Sequence, residues 1–176
     1  RETFPESQHP NEDREAVAMV QKHMEKDGVH MLVGAHELDV SITQDGSIRL
    51  LHDQARNGYD IEVDQLLVAV GRTPNVEGLG LDKAGVEFSE KGVVINDNFQ
   101  TTNRRIYAAG DICSAYQFTH AADFMARSVV KNALFKGRFK HSSLIIPWST
   151  YTSPELAHVG LNPELAEEQG VEIDTF

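Results

Sequence analysis

The spacing of apolar positions changes character several times along the chain, and each change marks an element. Residues 1–10 (RETFPESQHP) are polar with two prolines and read as a loop. Val17, Val20 and Met24 then recur at spacings of three and four, one stripe of an amphipathic helix. Asn11 suits the N-cap, and Glu12, Asp13 and Glu15 put negative charge in the first turn, where the macrodipole favours it. Gly28 follows Lys26-Asp27 as a stop, so the pattern predicts a helix over 12–27. Val29–Val33 reads as a short strand. Glu37–Thr43 and Ser47–Leu51 alternate on either side of Gln44-Asp45-Gly46, which predicts a hairpin. A polar stretch, His52–Gly58, leads to a further strand at Asp60–Val63. Leu66–Gly71 (LLVAVG) is apolar throughout, as expected of a strand covered on both faces.

Gly92–Asn96 reads as another strand. In Thr102–Ile112 (TNRRIYAAGDI), Ile106 and Tyr107 lead into Ala108, Ala109 and Gly110 and stop at one acid, Asp111. That order predicts a short buried strand whose C-terminal end admits close approach to the backbone. A carboxylate there can accept hydroxyl hydrogen bonds from a ligand lying over the strand ends. The same residues equally suit a buried strand ending in a turn aspartate. After a loop over Ile112–Phe118, Thr119 is expected to cap a helix that stops at Gly137, with Ala122, Met125, Ala126, Val129, Ala133 and Leu134 on its apolar face. The free N–H groups of its first turn and the positive end of its dipole favour negative charge. His141–Leu144 begins a third unit. Asn162-Pro163-Glu164 reads as N-cap, N1 proline and first-turn acid of a helix ending at Gly170. Gly78-Leu79-Gly80 is not a phosphate loop: the third glycine would fall at Lys83, and no strand leads into it.

Composition narrows the function classes. With 40% apolar and 24% charged residues the chain can bury a core, and its net charge of −11 excludes a nucleic-acid surface. The longest apolar runs, Leu66–Val70 and Leu144–Pro147, are too short to span a bilayer. No signal or transit pattern is present, and Cys113 is the single cysteine, so a reducing, cytoplasmic setting is expected. Cys113 is expected to be a packed side chain, and the scattered histidines lack metal-ligand spacing.

IYAAGD resembles the second flavin-binding motif of the FAD-dependent pyridine nucleotide–disulfide oxidoreductases, the family of dihydrolipoamide dehydrogenase, glutathione reductase and mercuric reductase. DQLLVAVGRTPN at Asp64–Asn75 is similar to the closing signature of that family's NAD(P)H domain. GLGLDKAGVEFSEKGVVIND resembles its connecting segment, QFTHAA at Gln117–Ala122 a flavin-facing helix start, and IPWSTYTSPELAHVGL at Ile146–Leu161 the opening of its dimerisation domain. The resemblance implies an α/β fold, an incomplete two-dinucleotide-binding-domain flavoprotein. Residues 1–71 would be the C-terminal half of the NAD(P)H domain, 72–141 the C-terminal part of the FAD domain and 142–176 the beginning of the dimerisation domain.

The resemblance also implies the site. Asp111 would bond the FAD ribityl chain, with Gly110 allowing the ligand close. The helix start at Thr119 and His120 would face the N1/C2=O edge of the isoalloxazine, and Gly71 and Arg72 would mark the crossing back to the FAD domain. No catalytic residue is expected. The family's Gly-rich loops, redox-active cysteine pair and His–Glu acid–base pair would all lie outside the chain. FAD and NAD(P)H are thus cofactors of an intact parent, and this chain by itself is expected to be inactive and to form a homodimer, domain-swapped or paired through sheet edges. The parent would move electrons from NAD(P)H through FAD to a disulfide or Hg(II). The alternative is a complete, non-catalytic binding or interaction module derived from the same family. The internal start without Met and the stop inside the third unit favour the fragment.

Overall fold

The structure, a computed structural model, describes residues 12–33, 38–52 and 58–174. Helix α1 spans Arg14–Lys26, capped by the Asp13 carboxylate, which accepts the Ala16 N–H at 2.9 Å. The expected cap, Asn11, lies outside the described residues. Val17, Val20 and Met24 are half-buried along one side, and α1 has no fully buried residue. Val29–Val33 does not form the expected strand: nothing among the described residues pairs with it, and Val29, Leu32 and Val33 stay exposed.

Strands β1 (Asp39–Ile42), β2 (Ile48–His52) and β3 (Tyr59–Val63) make the expected antiparallel meander. The turn closes where Ser47 O accepts the Thr43 N–H at 2.9 Å, and Ile42 faces Ile48 in register. Across β2 and β3 the Arg49 guanidinium forks onto Asp60 at 2.7 and 2.5 Å. Only Leu50 and His52 of the meander are buried.

Leu66–Gly71 departs from expectation. The run is no strand and is not covered: Leu67, Val68 and Val70 are 88%, 68% and 90% exposed. An all-apolar run becomes a buried strand only where neighbours offer their N–H and C=O rows, and no described residue does so.

Two small cores follow. One gathers Val76, Val86 and Val93 with Ile106, Ala108, Ile112 and Cys113 around it. The turns of 77–85 lie over it, braced from 102–103. Thr102 Oγ1 donates to Gly85 O and accepts the Glu87 N–H, both at 2.9 Å, and Asn103 Nδ2 donates to Ala84 O at 2.7 Å. Strands β4 (Phe88–Ser89) and β5 (Gly92–Val93) form a minimal hairpin, so the expected strand at Gly92–Asn96 is reduced to two residues and one bridge, Ile95 to Thr101.

The second core joins Phe99, Ala121, Met125 and Ile146. Helix α2, Thr119–Phe135, presents Ala121, Met125 and Ser128 to it, with Val129 packed alongside. The buried face is therefore rotated from the expected stripe, and Leu134 is 72% exposed. Apolarity alone places Leu134 inside; the position of Phe99 and Ile146 decides otherwise.

Strands β6 (Trp148–Thr150) and β7 (Leu156–His158) pair antiparallel, and helix α3 (Pro163–Glu168) follows. Asn162 caps α3 as expected, its side chain accepting the Leu165 N–H at 2.8 Å. Trp148 Nε1 donates to Glu12 Oε1 at 2.5 Å and Arg14 pairs with Glu164 at 2.7 Å, so the start of the described chain rests on its final unit. Every sheet among the described residues is antiparallel.

Candidate functional site around Asp111

The residues before Asp111 do not form the short regular strand expected there. They make one bridge, Gln100 to Tyr107, and Ala108 N–H donates to Phe99 O at 3.0 Å. Phe99 is fully buried with φ +65°, an uncommon conformation for a bulky side chain, held here by the core around it. The chain then turns at 110–113, where Cys113 N–H donates to Gly110 O at 3.0 Å. Asp111 thus sits in a turn rather than at the end of a paired strand.

Gly110 is required there for two reasons. Its φ is +81°, and a Cβ on it would lie 2.9 Å from the Ala122 Cβ in the first turn of α2. Its N–H also points to Met125 Sδ at 3.4 Å. The turn is therefore pressed against the start of α2. From the other side β5 holds it: Val93 N–H donates to Ile112 O at 2.8 Å, and Gly92 leaves room for that carbonyl.

The Asp111 carboxylate is half-exposed. Among the described residues it accepts no backbone N–H; its nearest charge is Arg72 Nη2, 3.9 Å away. A turn aspartate that caps its own backbone would use those oxygens locally, and this one does not. Gly71, with φ +130°, immediately precedes Arg72. The fold therefore brings Gly71-Arg72 and Gly110-Asp111 together.

The start of α2 lies beside this group but differs in detail. The N-cap is Phe118, not Thr119; it offers no capping side chain, and the first turn holds no acid. The first-turn N–H groups of Thr119, His120 and Ala121 thus receive no side-chain cap. Thr119 is the first helical residue and is exposed. His120 is committed elsewhere: its Nε2 lies 2.6 Å from Pro147 O, to which it donates, and its ring stacks on Phe118. It braces the approach to β6 and does not reach Asp111 by any described contact.

Burial pushes the Cys113 thiol up to about 11, and its Sγ sits 3.6 Å from Gly110 O. A thiol so placed is a packed side chain and not a nucleophile at neutral pH. Among the described residues no cluster of three metal-ligating side chains occurs, and no helix is long and apolar enough to cross a membrane. Sequence inspection missed Gly92 and Phe99 as supports of the Asp111 turn. Gly92 carries only the weak signal of a glycine at a strand start, and Phe99 carries none.

Residues 2–126 match the family described as pyridine nucleotide-disulphide oxidoreductase. A mercuric reductase of Bacillus cereus is 37% identical over 166 residues, covering 93% of this chain and 26% of that protein. A dihydrolipoyl dehydrogenase of Thermus scotoductus is 37% identical over 174 residues, covering 93% of this chain and 36% of that protein. Among solved structures, the HOCl-induced flavoprotein disulfide reductase RclA from Escherichia coli superposes with a TM-score of 0.80 at 27% identity, covering 93% of this chain and 37% of the other. The chain thus spans between 26% and 37% of the length of these relatives.

Proposed function

Because this chain belongs to the pyridine nucleotide-disulphide oxidoreductase family, we propose that it is part of a flavin-dependent enzyme that moves electrons from NAD(P)H through FAD to a disulfide or Hg(II). In this proposal residues 1–71 belong to the nicotinamide-nucleotide unit, 72–141 to the flavin unit and 142–176 to a dimerisation unit of a homodimer. The chain by itself is inactive, working in the cytoplasm only as part of the longer protein.

The observation that carries the reading is the state of Asp111. Its carboxylate accepts no backbone N–H among the described residues, and it stands in a turn packed on the uncapped start of α2. These residues fit a flavin. Asp111 would accept a hydrogen bond from a ribityl hydroxyl. Gly110, without a Cβ, keeps the turn against the helix start. The first-turn N–H groups at Thr119 and His120 would stabilise negative charge at the isoalloxazine edge through the backbone, since the His120 ring is turned to Pro147. Arg72 places a positive charge beside the carboxylate, and Gly71 lets the chain turn into it. Bound FAD would supply the two-electron redox chemistry.

The test is Asp111→Ala in the longer protein. A hydrogen bond to a charged group contributes about 1.5–3 kcal/mol, so FAD affinity should fall roughly ten- to a hundred-fold by titration of the apoprotein. Unchanged FAD affinity with a lowered denaturation midpoint would make Asp111 a structural residue and sink the reading.

A further inference from the structure

The chain is acidic as a whole, yet residues 124–154 contain no Asp or Glu. Arg127, Lys131, Lys136, Arg138 and Lys140 all fall in that stretch, around the C-terminal end of α2 and the segment after it. Arg127 is neutralised by Asp123 at 2.7 Å, and Lys140 stands 3.9 Å from Asp97, whose carboxylate also takes the Ser142 N–H. The Lys131 ammonium lies over the Phe139 ring, 4.8 Å from its centre. Lys136 and Arg138 make no ion pair among the described residues.

Beside them is an open surface depression of about 410 Å³ lined by Asn98, Gln100, Tyr107, Asn132, Gly137, Arg138 and Lys140. That volume lies within the range of small-molecule sites, about 300–1,000 Å³. Its hydrogen-bonding capacity is lopsided. Gln100 Nε2 donates to the Tyr107 oxygen at 3.1 Å, which leaves the Tyr107 hydroxyl hydrogen free. The acceptor oxygens of Gln100 and Asn132 are already engaged, by Asn96 Nδ2 and by the Phe139 N–H. The Arg138 guanidinium and the Asn98 side-chain amide make no hydrogen bond among the described residues. The walls therefore offer unused donors at Tyr107, Asn98 and Arg138 and the unpaired Arg138 charge, while the acceptor oxygens of Gln100 and Asn132 are engaged and that of Asn98 is open.

The negative end of the α2 dipole opposes an anion here, but it amounts to about half a charge. The full charge of Arg138, which lines the pocket, outweighs it. We propose that this pocket binds a small, multiply charged oxyanion of the phosphate-ester or pyrophosphate class. Arg138 supplies the two-pronged contact, and Tyr107 and Asn98 supply neutral donors. The pocket includes Tyr107 of the IYAAGD segment but none of Gly71, Arg72, Gly110, Asp111, Thr119 or His120, so pyrophosphate binding is measured apart from flavin affinity.

Isothermal titration of the full chain with sodium pyrophosphate, at low ionic strength, tests it, with glycerol 3-phosphate as a monoester arm. One saturable site is expected for pyrophosphate. Arg138→Gln should weaken it by about tenfold or more, as loss of a charge-assisted contact does. Tyr107→Phe should weaken it by a smaller factor with unchanged circular dichroism. Lys91→Gln removes the same charge from an exposed turn outside the pocket and should change nothing. Absence of saturation, an Arg138→Gln chain that binds like the parent, or an equal loss in Lys91→Gln would each overturn the proposal. Saturation by glycerol 3-phosphate as tight as by pyrophosphate would assign the site to monoesters within the same class.

Discussion

Replacing Gly92 by Ala should cripple the turn that carries Asp111, although Gly92 is distant from it in sequence. Gly92 has φ +118°, and a Cβ built there lies 2.4 Å from the Ile112 carbonyl oxygen and 3.2 Å from its carbon. Left-handed backbone of this kind costs a residue with a side chain about 1–3 kcal/mol. Overpacking adds about 1–3 kcal/mol, and the upper half of that range applies because the obstacle is backbone and cannot rotate away. Moving that carbonyl also breaks the 2.8 Å bond from Val93 N–H. The sum is about 4 kcal/mol, a large part of the roughly 5–15 kcal/mol that holds a domain folded. Gly80 supplies the control: its φ is +66°, yet nothing lies within 4 Å of a Cβ, so Gly80→Ala bears the conformational cost alone, about 1–2 kcal/mol. With a urea slope near 2 kcal/mol/M, Gly92→Ala should lower the midpoint by about 2 M and Gly80→Ala by about 0.5–1 M. Far-UV circular dichroism and the fluorescence of Trp148, the single tryptophan, both follow the transition. If Gly92→Ala shifts the midpoint no further than Gly80→Ala, the close contact is not a constraint and the argument for β5 as the support of the Asp111 turn fails.

Burial raises the Cys113 thiol from 9.0 to about 11, so its contribution to stability is complete below pH 9 and is lost as pH rises toward 11. Alkylation rates of the native chain should therefore show a midpoint near 11 that drops to the ordinary thiol value in urea; a native midpoint at the ordinary value would contradict the burial. Asn162→Ala removes the α3 cap, whose Leu165 N–H bond is 2.8 Å, and should cost about 1 kcal/mol in the same urea assay. Loss of less than half of that would show the cap to be idle. The exposed run at Leu67, Val68 and Val70 should drive association, as uncovered apolar surface does. Light scattering should find a dimer or larger species that Leu67→Glu with Val70→Glu reduces, and a monomer at all concentrations would count against this.

Local chemistry made much of this chain legible. The hairpin around Gln44-Asp45-Gly46 closes as its turn residues require, and α3 begins at Asn162-Pro163-Glu164 because cap, N1 proline and first-turn acid act within one helical turn. The α1 stripe and the stop at Gly28 are of the same kind. The motif IYAAGD and its flanks were enough to point to the family that the comparisons establish.

Tertiary structure decided the rest, because the missing information lay in partners far along the chain. Leu66–Gly71 has the composition of a buried strand but no described neighbour to pair with, and pairing, not apolarity, makes a strand. The segment before Asp111 makes a single bridge because Phe99 and Gln100, not a long strand, lie beside it. Thr119 looked like a cap, yet the chain enters α2 one residue earlier, and Phe118 takes that place while stacking on His120 and Trp148. The Arg72 charge reaches Asp111, and the Gly92 backbone makes room for Ile112, only once the turn has folded between β5 and α2. Contacts of that range depend on where whole elements settle, which no window of neighbouring residues encodes.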